Sequence, residues 1–199
     1  MLILHTAVLH QLSEQAPSTH ELGGHFRVDA QGQLTDTVTF EGQQCRDEHG
    51  HRLSGAAQCR IHKPDAPVSF HTHPKSNRPS SADMRNAVLK HPALSQKGQR
   101  RLSLIIAPRG VWWYMPSPTM RAAWKAALQK GDKRLVKDAM RLWSRTGNRL
   151  IRNDKKEDPA AFCAFMRRQG MHIQYIPYAD LPRRGQLHID ANGRHRLLP

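Results

Sequence analysis

Apolar and polar residues follow two different spacings in the first ninety residues, and both predict regular structure. Apolar side chains recur three and four positions apart over residues 5–15, which predicts a helix. Two alternating runs, Leu22–Val28 and Leu34–Phe40, are joined by a turn and predict a hairpin. A short strand is predicted at Val68–His73, and a helix is predicted over residues 81–91.

The strongest strand signal in the chain is the apolar run Leu102–Ala107, which a Pro-Arg-Gly turn connects to Val111–Met115. A run of this kind is typical of a strand that is buried on both faces of a sheet. The order helix, hairpin, strand, helix, hairpin therefore predicts an α/β fold with a mixed β-sheet flanked by helices. We expect this core to occupy residues 1–117.

The remaining residues, 118–199, are predicted to form a basic helical extension packed on the core, with a C-terminal strand and hairpin. Two helices are predicted over residues 120–130 and 133–151, and Asp158-Pro159 opens a third. Three further strand segments are predicted at 172–176, 186–189 and 195–198, the last two joined through Asn192-Gly193.

The charge of the chain is strongly positive and is concentrated in the extension. Lys and Arg number 31 against 16 Asp and Glu in the 199 residues, a formal net charge of +15. Twelve of the basic residues lie between Arg121 and Lys156, where only three acidic residues occur. Such a region is either a solvated surface or a docking surface for nucleic acid or an acidic protein.

Cysteine usage and the N-terminal segment exclude several classes of protein. Cys45, Cys59 and Cys163 are odd in number and contain no Cys-x-x-Cys, which argues against a disulfide framework and a cysteine-rich zinc site. Residues 1–10 lack a basic region, and their apolar run is too short for a signal peptide or a membrane span. We therefore expect a cytoplasmic protein with no membrane partner, or one delivered into a target cell as an effector.

Candidate chemistry is concentrated in residues 70–83. His71 and His73 alternate with Thr72 on the predicted strand, so both imidazoles point to the same face. After Pro74 and a polar loop, Ser80-Ser81-Ala82-Asp83 resembles a helix start with Ser80 at the cap. Such a helix start places one carboxylate near the two histidines, and two histidines with one carboxylate form a three-ligand zinc site with an open fourth position.

Each part of this pattern also has a purely structural explanation. The histidines alone are compatible with a solvated or packed pair, and Asp83 with the third residue of a capping box. The ordered combination is what favours a metal site. Three other histidines, His49, His51 and His62, lie in polar, loop-like sequence and are predicted to be surface residues.

The combination resembles the signature of the JAB/MPN (JAMM) zinc metalloproteases, which have a cytidine-deaminase-like α/β fold. That signature is an upstream Glu, then His-x-His-Pro, then Ser-x-x-Asp; here it is matched by His71, His73, Pro74, Ser80 and Asp83. The resemblance covers roughly residues 5–115. The loop before the serine is about one residue shorter than in the family, and Ser81 restores the distance from the histidines but not the distance to the aspartate.

The upstream glutamate is assigned to Glu21, because prokaryotic members of the family often carry Glu-x-Gly-Gly at the start of the first core strand, as in Glu21-Leu22-Gly23-Gly24. Glu41 and Glu48 are the alternatives, but neither has that context. Without the downstream motif, Glu21 would be interpreted as an exposed carboxylate at a strand end.

The resemblance implies a zinc-dependent hydrolase of amide bonds, with Zn²⁺ held by His71, His73 and Asp83. It implies that Glu21 is the general base and then the general acid, and that Ser80 donates to the oxyanion of the tetrahedral intermediate. The implied substrate is a protein with a peptide or isopeptide bond, such as a conjugate of a ubiquitin-like modifier.

Two other functions are compatible with the sequence. The first is a catalytically inert MPN-type scaffold that binds nucleic acid or an acidic protein through the basic residues of 121–156. The second is a metalloprotease toxin or effector in which residues 118–199 recognise a host component. A zinc-dependent nucleic-acid deaminase is disfavoured, because no Cys-x-x-Cys accompanies the His-x-His.

Overall fold

A computed structural model gives the structure of the chain and describes residues 1–16, 21–41, 67–74, 76–89, 101–151, 157–190 and 192–199. Nine strands and five helices are defined within these residues. In chain order they are β1 (Leu2–His5), α1 (Thr6–Gln15), β2 (Leu22–Val28), β3 (Leu34–Glu41), β4 (Val68–Thr72), α2 (Ser81–Leu89), β5 (Leu102–Ala107), β6 (Gly110–Pro116), α3 (Pro118–Gln129), α4 (Arg134–Leu150), α5 (Pro159–Arg168), β7 (Met171–Pro177), β8 (Gln186–Ile189) and β9 (His195–Leu198).

The main sheet has six strands in the order β3-β2-β4-β5-β6-β7. Strands β4 and β5 are parallel, while the other neighbouring pairs are antiparallel. Helix α2 lies between the two parallel strands in sequence, because parallel neighbours need a crossover connection. The predicted α/β fold with a mixed sheet and flanking helices is confirmed.

A second, three-stranded sheet joins the beginning of the chain to its last strands, in the order β1-β8-β9. The β8–β9 hairpin was predicted from Asn192-Gly193 and is confirmed. Strand β1 was not predicted: Leu2–His5 forms a strand directly before α1, with Leu4 opposite Leu187. A four-residue apolar segment beside a helix carries too little periodicity for a strand assignment, and its partner lies far along the chain.

The core is divided by the main sheet into two apolar clusters. Along β5, Leu104 belongs to the cluster on one face and Ile105 to the cluster on the other. Helix α1 and the three-stranded sheet cover the first face. Helices α2 to α5 cover the second, where Trp143 and Phe162 are fully buried.

Residues 118–199 therefore contribute β7 to the main sheet and three helices to one of its faces. Among the described residues, no helix combines the length and the apolar character that a bilayer crossing requires. Several residues singled out from the sequence lie outside the described residues: Cys45, Glu48, His49, His51, Cys59 and His62.

Candidate metal centre

Two histidine side chains meet at the carboxyl end of β4, in the middle of the main sheet. His71 is opposite Gly23 of β2 and Ile105 of β5. His73 follows the strand, and its backbone N–H donates to the Ile106 carbonyl at 2.9 Å, which prolongs the ladder by one residue pair. The two Nε2 atoms are 3.0 Å apart, and both residues are buried. The predicted common face of the two imidazoles is confirmed.

The third group of the cluster comes from the first turn of α2. The Ser80 backbone N–H donates to Asp83 Oδ2 at 2.8 Å, and the Asp83 backbone N–H donates to Ser80 Oγ at 3.1 Å. This reciprocal pair is a capping box, as predicted. The same carboxylate places Oδ1 3.4 Å from His71 Nε2 and Oδ2 3.3 Å from His73 Nε2. Asp83 therefore both caps the helix and faces the histidines.

The three side chains have the composition and the spacing of a metal site. Their ligand-type atoms lie within 4.8 Å of one another, and all three residues are buried. Zinc bonds of about 2.0–2.2 Å at tetrahedral angles separate neighbouring ligand atoms by about 3.3–3.5 Å. The observed separations of 3.0, 3.3 and 3.4 Å are close to that range. Two imidazole nitrogens and one carboxylate are also a donor set that zinc accepts with a fourth position open.

The orientation of the His73 ring is fixed by a hydrogen bond from the ring nitrogen that points away from the cluster. Its Nδ1 lies 2.9 Å from the carbonyl oxygen of Arg78. Because a carbonyl only accepts hydrogen bonds, Nδ1 must carry the proton, and Nε2 then offers its lone pair to the centre of the cluster. A backbone carbonyl behind a ligating imidazole is a common arrangement in metal sites.

Electrostatics at the cluster favour positive charge at its centre. Burial acts to lower the pKa of His71, but the charge of Asp83, a hydrogen bond to Asp83 and the charge of Glu21 outweigh it, so the pKa is raised. Burial acts to raise the pKa of Asp83, but the charge and hydrogen bond of His71, with those of His73, hold that pKa well below its usual value. The carboxylate stays ionised, and a cation between the ligands would replace the proton that it otherwise attracts.

Glu21 lies directly before β2, at the same end of the sheet as the histidines. The Leu22 backbone N–H donates to Thr72 Oγ1 at 2.8 Å, which fixes the start of β2 against the end of β4. Within the described residues, the buried Glu21 Oε2 has no hydrogen-bond partner. A buried carboxylate oxygen without a partner is costly, and the charge of Glu21 acts on His71, so Glu21 is a candidate functional residue of the cluster.

The loop between the histidines and α2 is held by residues that the sequence did not single out. The Asn77 side chain donates to Glu157 Oε2 at 2.6 Å, and the Asn77 backbone carbonyl accepts from Trp112 Nε1 at 2.9 Å. The Arg78 guanidinium donates to Asn148 Oδ1 of α4. A buried asparagine and a backbone carbonyl have no sequence signature. The only signal in the sequence is that Asn77 and Arg78 lie close to the histidines.

Comparison of the chain with protein-family models, with curated proteins and with solved structures finds no significant match. The function of the chain is therefore inferred from the geometry of Glu21, His71, His73, Ser80 and Asp83. Glu41, an alternative to Glu21, is the last residue of β3, where it is opposite Leu22.

Proposed function

We propose that this protein is a zinc-dependent metallopeptidase of the JAB/MPN (JAMM) type that hydrolyses a peptide or isopeptide bond. The observation that carries the proposal is a buried glutamate oxygen without a partner, beside a His-His-Asp cluster of metal-site dimensions. A simple structural ion pair would need no second carboxylate at the same place. A hydrolytic site needs one as a proton acceptor that does not bind the metal.

His71, His73 and Asp83 would hold the zinc ion. The ion would supply Lewis acidity, which activates water at neutral pH and polarises the carbonyl of the scissile bond. The hydrogen bond from His73 Nδ1 to the Arg78 carbonyl keeps one ligand in the required tautomer. The capping box keeps the aspartate pointing to the histidines.

Glu21 would accept the proton of the attacking water and return it to the leaving amine. Its place before β2 suits this role, because the Leu22–Thr72 hydrogen bond holds the backbone next to it rigidly.

Ser80 would donate to the oxyanion of the tetrahedral intermediate. In the structure its Oγ accepts from the Asp83 backbone N–H, and a hydroxyl that accepts still carries its own proton to donate. Ser81, which begins α2, is the less suitable residue, because Ser80 is the one that forms the capping box with the aspartate.

The arrangement of elements supports the family resemblance. The His-x-His pair stands at the end of β4 and the Ser-x-x-Asp segment opens α2, in the connection between the two parallel strands. Ligand sites in open α/β sheets gather at such carboxyl ends of strands. An isopeptide to lysine, as in a conjugate of a ubiquitin-like modifier, is the substrate class that the resemblance favours.

The test combines metal analysis with cleavage. Zinc content is measured by elemental analysis on wild type, Glu21→Gln and Glu14→Gln, and each protein is incubated with a panel of ubiquitin-like isopeptide conjugates. Glu14 is a matched control, because it is exposed, pairs with Arg183 and belongs to α1, which covers the face of the sheet opposite to that of α2.

We expect about one zinc per chain in all three proteins. We also expect cleavage by wild type and Glu14→Gln, and a loss of about 100- to 10,000-fold in Glu21→Gln. A folded wild-type protein that takes up no zinc when zinc is added would overturn the proposal. Equal activity of Glu21→Gln and wild type would remove Glu21 from the mechanism.

A further inference from the structure

A groove of about 640 Å³ lies between α2, the end of α3 and the first half of α4, outside the metal centre. Its floor is aliphatic and is formed by Leu89, Leu128, Val136 and Met140. Leu128 is 36% exposed, so part of this aliphatic surface faces water. The volume is in the range of about 300–1,000 Å³ that ligand pockets typically have.

The rim of the groove is cationic. Arg85 of α2 lines it on one side, and Lys133, Lys137 and Arg141 line it on the other. The last three follow one another at intervals of four residues, so they form one row along α4. No acidic residue lines the groove among the residues that the structure describes.

We propose that this groove binds an acidic, amphipathic segment of a protein partner. An aliphatic floor is complementary to the apolar face of such a segment, and a row of three cations with a fourth opposite is complementary to carboxylates that flank that face. Docking of an amphipathic helix into an apolar groove is a common mode of peptide recognition.

Nucleic acid fits the groove less well than an acidic protein segment does. Single strands bind through aromatic platforms on which bases stack, and this groove has no aromatic side chain among its described lining residues. A phosphate backbone alone would leave the four aliphatic side chains of the floor without an apolar partner. The sugar–phosphate surface therefore matches the rim but not the floor.

The groove adjoins the metal centre through helix α2. Asp83 points from this helix to the histidines, whereas Ser81, Arg85 and Leu89 of the same helix line the groove. A segment bound there would lie one helix away from the site. Binding nevertheless requires neither zinc nor Glu21, so the proposal goes beyond the proposed function and can fail independently of it.

The experiment measures the binding of a fluorescein-labelled amphipathic peptide of about 20 residues, with Leu on one helical face and Glu on its flanks. A scrambled peptide of equal composition, a single-stranded oligonucleotide and anionic phospholipid vesicles are the competing probes. Fluorescence anisotropy is recorded for wild type, Glu21→Gln and two triple charge reversals, all as full chains.

The first triple variant is Lys133→Glu, Lys137→Glu, Arg141→Glu, on the rim of the groove. The control is Arg134→Glu, Arg145→Glu, Arg149→Glu, which changes net charge equally on exposed positions of the same helix outside the groove. We expect the rim variant to weaken peptide binding by about 30-fold or more, and the control by less than about 3-fold.

A second pair of variants tests the apolar floor. Leu128→Ser should weaken binding by about 5-fold or more, whereas Leu142→Ser should change it by less than about 2-fold. Leu142 is 44% exposed on α4 but does not line the groove. Circular dichroism melting confirms that each variant is folded before binding is measured.

Preferred binding of the amphipathic peptide over its scrambled form, with loss only in the rim and floor variants, supports the proposal. Equal weakening by both triple variants would overturn it, because the effect would then be general charge attraction. Tighter binding of the oligonucleotide or the vesicles than of the peptide would also overturn it. Unchanged peptide binding in Glu21→Gln keeps this result separate from the test of the hydrolase.

Discussion

Charged side chains are buried and paired at the candidate metal centre but exposed on helix α4. In the His-His-Asp cluster, the side chain of Asp83 is 5% exposed and lies within 3.4 Å of both histidine Nε2 atoms. On α4, the charges are exposed, and the ion pair between Arg141 and Asp138 joins side chains that are 59% and 67% exposed. A buried charge needs its partner, whereas water can replace the partner of an exposed one.

Burial of the charges determines where a single substitution should change stability or zinc affinity. Removing one member of the buried cluster leaves an uncompensated charge in a low dielectric. A single substitution there should therefore lower the free energy of unfolding strongly. Reversing one exposed charge on α4 should change the free energy of unfolding little, so function there requires several charges acting together.

The sharpest test is Asp83→Ala against Asp158→Ala. Both aspartates accept from a backbone N–H at a helix start, Asp83 from Ser80 and Asp158 from Ala161 at 2.8 Å, but only Asp83 faces the histidines. Asp158→Ala should lose about 1 kcal/mol of stability with its cap. Asp83→Ala should lose about 3–5 kcal/mol, because the buried histidines also lose their charged partner. Only Asp83→Ala should lose zinc affinity, by about 1,000-fold or more, because one of three ligands is gone. Isothermal titration of the metal-free proteins with zinc measures this, and equal zinc affinity in the two variants would contradict a ligand role.

Helix α4 has exposed charges on one side, but its other side packs into the hydrophobic core. Trp143→Ala tests how much this packing contributes to stability. Trp143 is fully buried and stacks on Trp124, with ring centroids 5.2 Å apart. Its truncation should lower the free energy of unfolding by about 3–5 kcal/mol. The neighbouring Leu142→Ala should cost no more than about 1 kcal/mol, because Leu142 is 44% exposed. Urea unfolding compares the two, and similar losses would mean that α4 is not part of the core.

Ser80→Ala separates a chemical role from a structural one, with Ser117→Ala as control. Ser117 caps α3 by accepting from the Met120 backbone N–H at 3.1 Å, the same distance as the bond to Ser80 Oγ. Each change should cost about 1 kcal/mol of stability. Only Ser80→Ala should lower kcat, by about 100-fold, which is typical for loss of an oxyanion donor. An unchanged kcat would leave Ser80 as a helix cap alone.

The smallest expected effect is that of Arg78→Ala on zinc affinity. The Arg78 side chain reaches α4, where it donates to Asn148, while its carbonyl accepts from His73 Nδ1. Loss of the side chain loosens that carbonyl, and zinc affinity should fall by up to about 10-fold. Arg145→Ala, on the exposed part of α4, should leave the affinity unchanged. Competition with a chromophoric chelator distinguishes the two results.

The His-His-Asp cluster was predictable from the sequence because its members lie in short, local patterns. His71 and His73 share a face by strand alternation, and Asp83 is placed by a capping box that involves only Ser80. Such patterns do not depend on distant parts of the chain. The same is true of the β2–β3 and β8–β9 hairpins, whose pairing is set by their own turns.

The supports of the cluster were not predictable, because they come from distant residues or from the backbone. Asn77 is held by Glu157, 80 positions away, and His73 is oriented by a carbonyl that any residue could provide. The groove is another case. The sequence indicates that residues 121–156 are basic, but only the packing of α4 against α2 separates the rim residues from the other cations.

The pairing of β1 with β8 has a consequence for synthesis on the ribosome. Leu4 lies opposite Leu187, and the Thr6 backbone N–H donates to the Gly185 carbonyl, 179 positions away. At about 5–20 residues per second, the nascent β1 and α1 wait roughly 10–40 s for these partners. Early partners are available on β3 and β5, but the edge of β1 that pairs with β8 stays open during that time, so the newly made chain should depend on holding chaperones to protect this edge.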